Sequence, residues 1–218
     1  MLFCYGSLQN QPGPRDVEAL RTNVPELLAV AREIRRRQPA GLAAYKPANS
    51  HPQHEDRAFD FVGMTGLPLV PCHEFPTNAP AAFFSVHALK DRELVPKLRA
   101  FIATGRPVLL TDGLAQSLTN QLRLDAHNVQ LLPVQQDPKS LLRLEAAQLE
   151  KLRQPLLMPF KVNLRAPNRV ALYLFADGSW VVENFNDAPA EVVLNGEQVT
   201  LSPRDWSSHW NKTEKLSR

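Results

Sequence analysis

The chain is short of cysteine, of long apolar runs and of charge of one sign, and each shortage excludes a class of protein. Two cysteines, Cys4 and Cys72, in 218 residues are too few for a disulfide framework, so a reducing compartment is expected. No apolar run approaches the ~18 residues that a membrane span requires. The opening MLFCYGSLQN has no basic start followed by a long apolar stretch, so no signal peptide is read there. The cytoplasm is the expected location, with no membrane partner. The formal net charge is +3, from 25 basic and 22 acidic residues. The densest basic cluster, Arg32, Arg35, Arg36 and Arg37, falls near the end of a predicted helix, where cations complement the helix dipole. A nucleic-acid patch would need a broader basic face with interleaved aromatics, so no nucleic-acid partner is expected.

What the chain does have is apolar substance and proline. Hydrophobic residues make up 44%, normal for a protein that buries a core. The 19 prolines cluster at the edges of predicted elements and punctuate short connections. Between Gly41 and Gly113 lie short apolar runs that end in polar residues: GLAAY before Lys46 and Asn49, LPLV before Cys72, His73 and Glu74, AAFFSV before His87, and VLL before Thr111 and Asp112. Such runs bounded by turn signals read as buried strands, and helical patterns between them as crossovers. Helices are expected from about Glu55 to Met64, from Asp91 through Ala103 and from Leu114 to Leu122, with Val108–Leu110 as the most central-looking strand and NVQLLPV as a last one. Strands alternating with helices imply a parallel sheet with helices on its faces.

The flanks differ. Before Gly41, the turn-rich YGSLQNQPGPRD leads to a helix that Asp16 is placed to cap, with Leu20, Val24, Leu27, Leu28, Ala31 and Ile34 at helical spacing. Pro25 is expected to kink it or mark a second start. After Asp125, a helix is read over Ser140–Arg153 and QPLLMPF as a connector. From Val162 to Leu201 the apolar period becomes two, and Asp177-Gly178 and Asn195-Gly196 are hairpin signals. This reads as a small antiparallel β domain of about five strands. WSSHWNKTEKLSR reads as a frayed tail, although Trp206 and Trp210 can pack back. The expected layout is an N-terminal loop and helix (1–39), an α/β domain (40–155), a β domain (156–210) and a tail (211–218).

Ligands of parallel sheets sit beyond the carboxyl ends of the strands. Lys46, Asn49, His73, Glu74, His87 and Asp112 should converge there, against the plainer reading that loops are polar because they are wet. Catalysis has the candidates Cys72, His73, His87 and Asp112. Cys72 and His73 are neighbours on a strand and point to opposite faces, so a base for the thiol would have to be His87 or His54. His51, His54 and Glu55 are candidates for a metal site with His73, but their spacing matches none of the well-specified zinc patterns. No cofactor and no metal are expected. In the β domain, Trp180 and Tyr173 offer faces on which a sugar could stack, or else they belong to the core.

The order of these elements carries a resemblance. GLPLVP, AAFFSVHAL and the helix that ends in FIATGRPVLLTDG resemble the class I glutamine amidotransferase-like fold. They are similar in particular to its non-catalytic form, the trimerisation domain of β-galactosidases and related glycoside hydrolases. DGSWVVENFNDAPAEVVLNG is similar to the small β domain that often closes such hydrolases, and the opening segment resembles the last βα unit of an upstream barrel. The resemblance implies a doubly wound, flavodoxin-like parallel sheet plus a small antiparallel β domain. It also implies an upstream glycosidase-like barrel, in the same polypeptide or in other subunits, a homo-oligomer and a carbohydrate ligand as partners. Active class I amidotransferases carry a cysteine in the elbow after the central strand. Here Thr111 or Asp112 stands there, and neither His127 nor His209 is followed two residues on by Glu. The resemblance therefore implies the fold and argues against the activity. The expected function is a non-catalytic module in assembly or in shaping a neighbouring active site. The alternatives are a hydrolase using the crevice Cys/His/Asp set and a carbohydrate-binding module.

Overall fold

The structure, a computed structural model, describes residues 14–134 and 137–211. Cys4, the opening loop and the last seven positions of the expected tail lie outside the described residues. The chain divides into two compact units, one up to Gln38 and one from Pro39 on.

Among the described residues the first unit holds one helix, α1 (Pro14–Ile34), which runs through Pro25 with no second start. It begins before Asp16, which therefore lies inside it and is not its cap. Arg32 donates to the Leu28 carbonyl, and Arg37 to the Glu33 carbonyl at 2.9 Å and carboxylate at 2.6 Å. The basic cluster thus serves the terminal carbonyls and the dipole of its own helix. Val24, Leu27, Leu28 and Ile34 are exposed.

The second unit is α/β. Its strands β2 (Leu42–Tyr45), β3 (Leu69–Cys72), β4 (Ala82–Phe84), β5 (Val108–Thr111) and β6 (Val129–Leu132) form one sheet in the order β3-β2-β4-β5-β6. Every neighbouring pair is parallel. This is the flavodoxin-like order, and its direction of winding switches between β2 and β4. β4, not Val108–Leu110, is the middle strand. β3, which contains Pro71 and begins after Pro68, lies at an edge, where a missing ladder donor is tolerated.

Alternation along these strands sorts side chains between two cores. Tyr45, Ala82, Phe84, Val108 and Leu110 face α3 (Leu94–Ala103) and α4 (Asp112–Leu118). Leu42, Ala44, Phe83, Leu109 and Leu132 join the opposite core, with Val62 of α2 (Ala58–Met64) and Leu152, Leu156 and Leu157 of α5 (Ala146–Leu157). The expected helices shift accordingly. α2 starts three residues after Glu55, and α4 starts at Asp112 and stops at Leu118. The segment read as one helix over Ser140–Arg153 is a 3-10 turn (Pro138–Arg143) followed by α5. α5 continues past Pro155 through part of the expected connector, and Met158–Phe160 forms another 3-10 turn.

The antiparallel part is larger than read. It holds β7 (Leu164–Arg165), β8 (Val170–Phe175), β9 (Trp180–Asn184), β10 (Ala190–Leu194), β11 (Glu197–Leu201) and β12 (Trp206–His209), in sheets β1-β8-β9-β12 and β11-β10-β7. β1 (Pro39–Ala40) pairs with β8, so the chain passes through this layer before it enters the parallel sheet. Trp206–His209 pair with β9 and Trp210 packs at 5.7 Å from Phe175, so this part of the expected tail is ordered structure. Asn195 (φ 53°) and Gly196 (φ 89°) form the turn between β10 and β11, both left-handed as a two-residue hairpin requires. Val170, Leu172, Val182, Val192 and Leu194 lie in the same core as Leu42, Phe83 and Leu109, so the two layers share one apolar interior.

A buried cation pins that junction. Arg153 on α5 is 1% exposed. Its guanidinium donates to the carbonyls of Thr65 at 2.6 Å, Ala166 at 2.6 Å and Pro167 at 3.3 Å. It thereby ties the end of α2 to the β7–β8 loop. Burial brings its pKa down to about 10. Arg153→Met would remove three hydrogen bonds and strand the buried Thr65 carbonyl, at a cost of about 2 kcal/mol or more. The expected result is a urea-unfolding midpoint well below that of the parent, with Arg153→Lys recovering part of the loss.

Candidate functional site

The carboxyl ends of β2, β4 and β5 and the loop of residues 46–57 build the crest of the parallel sheet. Beside β4, β5 gives way directly to α4. Thr111 is extended (φ −69°, ψ 149°), and its hydroxyl accepts the Leu114 N–H at 3.4 Å, capping the helix. Asp112 opens the first turn, where a carboxylate suits the dipole. Its Oδ1 accepts the N–H of Gly113 at 3.0 Å and of Val134, beyond β6, at 3.1 Å.

Against this elbow lies Glu55, 2% exposed. Its Oε2 accepts the Val86 N–H at 3.0 Å, while Oε1 has no hydrogen-bond partner. A Cβ on Gly113 would come within 2.5 Å of Oε1, so residue 113 must be glycine for the acid to sit there. Burial pushes the Glu55 pKa up and the nearby Asp112 charge adds to the rise, against the pull of the Val86 N–H and the Thr111 hydroxyl. A cleft of about 460 Å³ opens beside the pair, lined by Gln53, His54, Glu55, Asp112, Gln116 and Ser117.

The other expected crest residues form separate groups. His87 is buried, with Nδ1 at 2.8 Å from the Ser50 hydroxyl and its ring edge-on to Phe59 at 5.7 Å. Lys46 Nζ lies 5.9 Å from the centroid of the same Phe59 ring. Burial lowers the His87 pKa, and the charges of Lys46 and His51 lower it further. His73 is exposed, with Nδ1 at 3.2 Å from the Lys46 carbonyl oxygen, and Glu74 beside it is exposed. Asn49 takes a left-handed turn at φ 56°. Lys46 is thus brought near His87 and His73, but neither histidine lines the cleft that holds Asp112.

Cys72 closes the edge strand β3, in register with Tyr45. It is half-buried among apolar neighbours, and burial raises its pKa. Among the described residues no histidine is hydrogen-bonded to it, so the nucleophile–base contact that thiol catalysis needs is not formed. No group of three His, Cys, Asp or Glu side chains among the described residues is close enough to hold a metal ion. Of the metal candidates, His51 Nδ1 accepts the Gln53 N–H within its own loop, whereas His54 and Glu55 line the same cleft, with Glu55 buried. In the antiparallel layer Trp180 is a core residue stacked on His209 at 5.8 Å, and Tyr173 is exposed with its hydroxyl donating to Glu183 at 3.0 Å.

The residue that sequence reasoning undervalued is Glu55, weighed only as a metal ligand. It stands in the polar run HPQHEDR, which has no period that marks one acid as buried. The loop's fold over β4 and α4 makes it so.

No family model matches the chain, and no curated protein is similar to it at a significant level. Among solved structures, Gan42B, a GH42 beta-galactosidase, is similar in part. It is 11% identical, with a TM-score of 0.42, over 78% of this chain and 40% of that one. The chain thus spans well under half the length of that protein.

Glu55 gives the site a pH signature. A carboxyl with a folded pKa above its unfolded one contributes stability below the unfolded value, and this is lost as pH rises towards the folded value. Glu55→Gln removes that loss. Urea midpoints of parent and variant, taken from about pH 4 to about pH 8, should diverge in the variant's favour as pH rises. A constant difference across the range would mean that Glu55 titrates as it does in the unfolded chain.

Proposed function

We propose that the chain is a non-catalytic, amidotransferase-like module of a larger carbohydrate-active protein, serving assembly or shaping a neighbouring active site. The observation that carries this reading is what Asp112 does. At the elbow where an active enzyme of that fold would present a thiol, its carboxylate holds the backbone of Gly113 and of Val134. It fastens the exit of β5 to the exit of β6. Cys72 sits on the edge strand β3 with its thiol pKa raised, and His87 is engaged with Ser50. With no thiolate and no base beside it, acyl transfer has no first step. The partners that fit this reading are a glycosidase-like barrel, in the same polypeptide or another subunit, a second copy of the chain, and a carbohydrate held by the assembly.

The competing reading, a hydrolase working at the crest, has one feature in its favour. The cleft there brings Asp112 beside a second acid, Glu55, with a raised pKa, and perturbed acids in clefts mark active sites more often than chance.

One set of measurements separates the two. On a panel of esters, amides and aryl glycosides the purified chain should show no turnover above buffer. Asp112→Ala should cost about 1–2 kcal/mol in stability, because it removes the carboxylate's bonds to the Gly113 and Val134 N–H groups and leaves the latter only the Leu132 carbonyl. Light scattering should find self-association, or association with the barrel when the two are mixed. Turnover that Cys72→Ala or Asp112→Asn abolishes without loss of folding, or a strict monomer that ignores the barrel, would overturn the proposal.

A further inference from the structure

A second, larger cleft shares no lining residue with the crest cleft, and the proposed function does not use it. It has a volume of about 770 Å³ and opens where α5 and the Met158–Phe160 turn meet β7 and the β10–β11 hairpin. That size suits a small organic ligand, and junctions between structural layers are where such ligands commonly bind.

Its lining has two parts. Pro155, Leu157, Val162 and Leu164 supply apolar surface, with Leu157 and Leu164 buried. The charged groups are Lys151, Arg153, Lys161 and Arg165 against a single acid, Glu150. That acid is paired, at 3.8 Å, with Arg165. The balance is therefore three positive charges in excess within one concave site.

Arg153 makes the excess costly. All its hydrogen bonds go to main-chain carbonyls, and no carboxylate hydrogen-bonds it among the described residues. A guanidinium has five N–H donors, and carbonyls among the described residues accept three of them. Buried cations are ordinarily paired. Here the one acid near it, Glu150, makes no hydrogen bond to it and is shared with Arg165, and the guanidinium lines the cavity.

We propose that this cleft binds a small organic anion with an apolar body, its acidic head drawn by Lys151, Lys161 and Arg165 and its body seated on the apolar wall. The anion adds negative charge to a site in which one acid faces four cations. A carboxylate and a phosphate head share this chemistry. A neutral molecule of the same shape would gain the apolar contacts alone.

The probe is 8-anilino-1-naphthalenesulfonate, with N-phenyl-1-naphthylamine as its neutral counterpart, titrated into the folded full chain. The expected result is saturable one-to-one fluorescence enhancement by the sulfonate, with much weaker binding of the amine. Lys151→Glu with Lys161→Glu reverses two exposed rim charges and leaves Arg153 in place. It should weaken the sulfonate about 10-fold or more and leave the amine unchanged. Lys161→Gln gives a milder version if the double variant folds poorly. Competition by hexanoate and by hexyl phosphate identifies the preferred head. Amide chemical-shift changes on adding the sulfonate should concentrate at residues 150–165 and Asn195. Equal binding of both dyes, indifference to the charge changes, no competition by either anion, or shift changes centred elsewhere would overturn the proposal.

Discussion

The second unit depends on a cation in a place where a cation is expensive. Arg153 reaches from α5 to carbonyls at the end of α2 and in the β7–β8 loop. A lysine in the same position would offer three donors from a point; the guanidinium fork reaches separate acceptors from one plane. Because those acceptors belong to different layers, the bonds fix how the parallel sheet and the antiparallel sheets meet. The apolar core continuous between them supplies the cohesion but is non-directional, so it does not choose among orientations. The hydrogen bonds do.

The crest is arranged on a similar principle with the opposite sign. Asp112 and Glu55 are acids that accept main-chain N–H groups, and each one stitches a strand exit to a neighbouring loop. Such use of carboxylates is costly for the buried one, whose pKa rises, and it leaves Oε1 unpartnered. The turn from β5 into α4 is therefore occupied by structural chemistry. Pro71 on the edge strand and the half-buried Cys72, to which no histidine among the described residues is hydrogen-bonded, agree with that picture. The two concave sites differ accordingly: the crest cleft is acidic and tied to the backbone, whereas the cleft beside α5 is basic and short of countercharge.

Some of this was legible in the residues. The runs ending at Tyr45, Val70 and Leu110 read as strands because apolar side chains of the right length were bounded by polar ones, although the second strand lies two residues later, over Leu69–Cys72, and is half-exposed. The hairpin at Asn195-Gly196 was legible because few other residues accept its backbone. Other features were misread for identifiable reasons. Val108–Leu110 looked central because its apolar run is unbroken, yet Ala82–Phe84, shorter and followed by a 3-10 turn, is the middle strand. Pro155 looked like an end of helix, but α5 runs past it into buried Leu156 and Leu157, so packing outweighed the lost bond. Trp206 and Trp210 looked like a tail because nothing local pairs with them; their partners, β9 and Phe175, are distant in sequence.

By itself the sequence determined the alternation of parallel strands and helices, the switch to a two-residue period after Val162, and the lack of a cysteine at the elbow. These are local properties: periodicity, turn chemistry and residue identity do not need partners to be read. Only the tertiary structure decided strand order, the sharing of one core by the two layers, the burial of Glu55 under the elbow and the carbonyl cage around Arg153. Each of those depends on which remote segment arrives beside a given side chain. A charged residue in a polar run looks the same in sequence whether it meets water or a dry carbonyl.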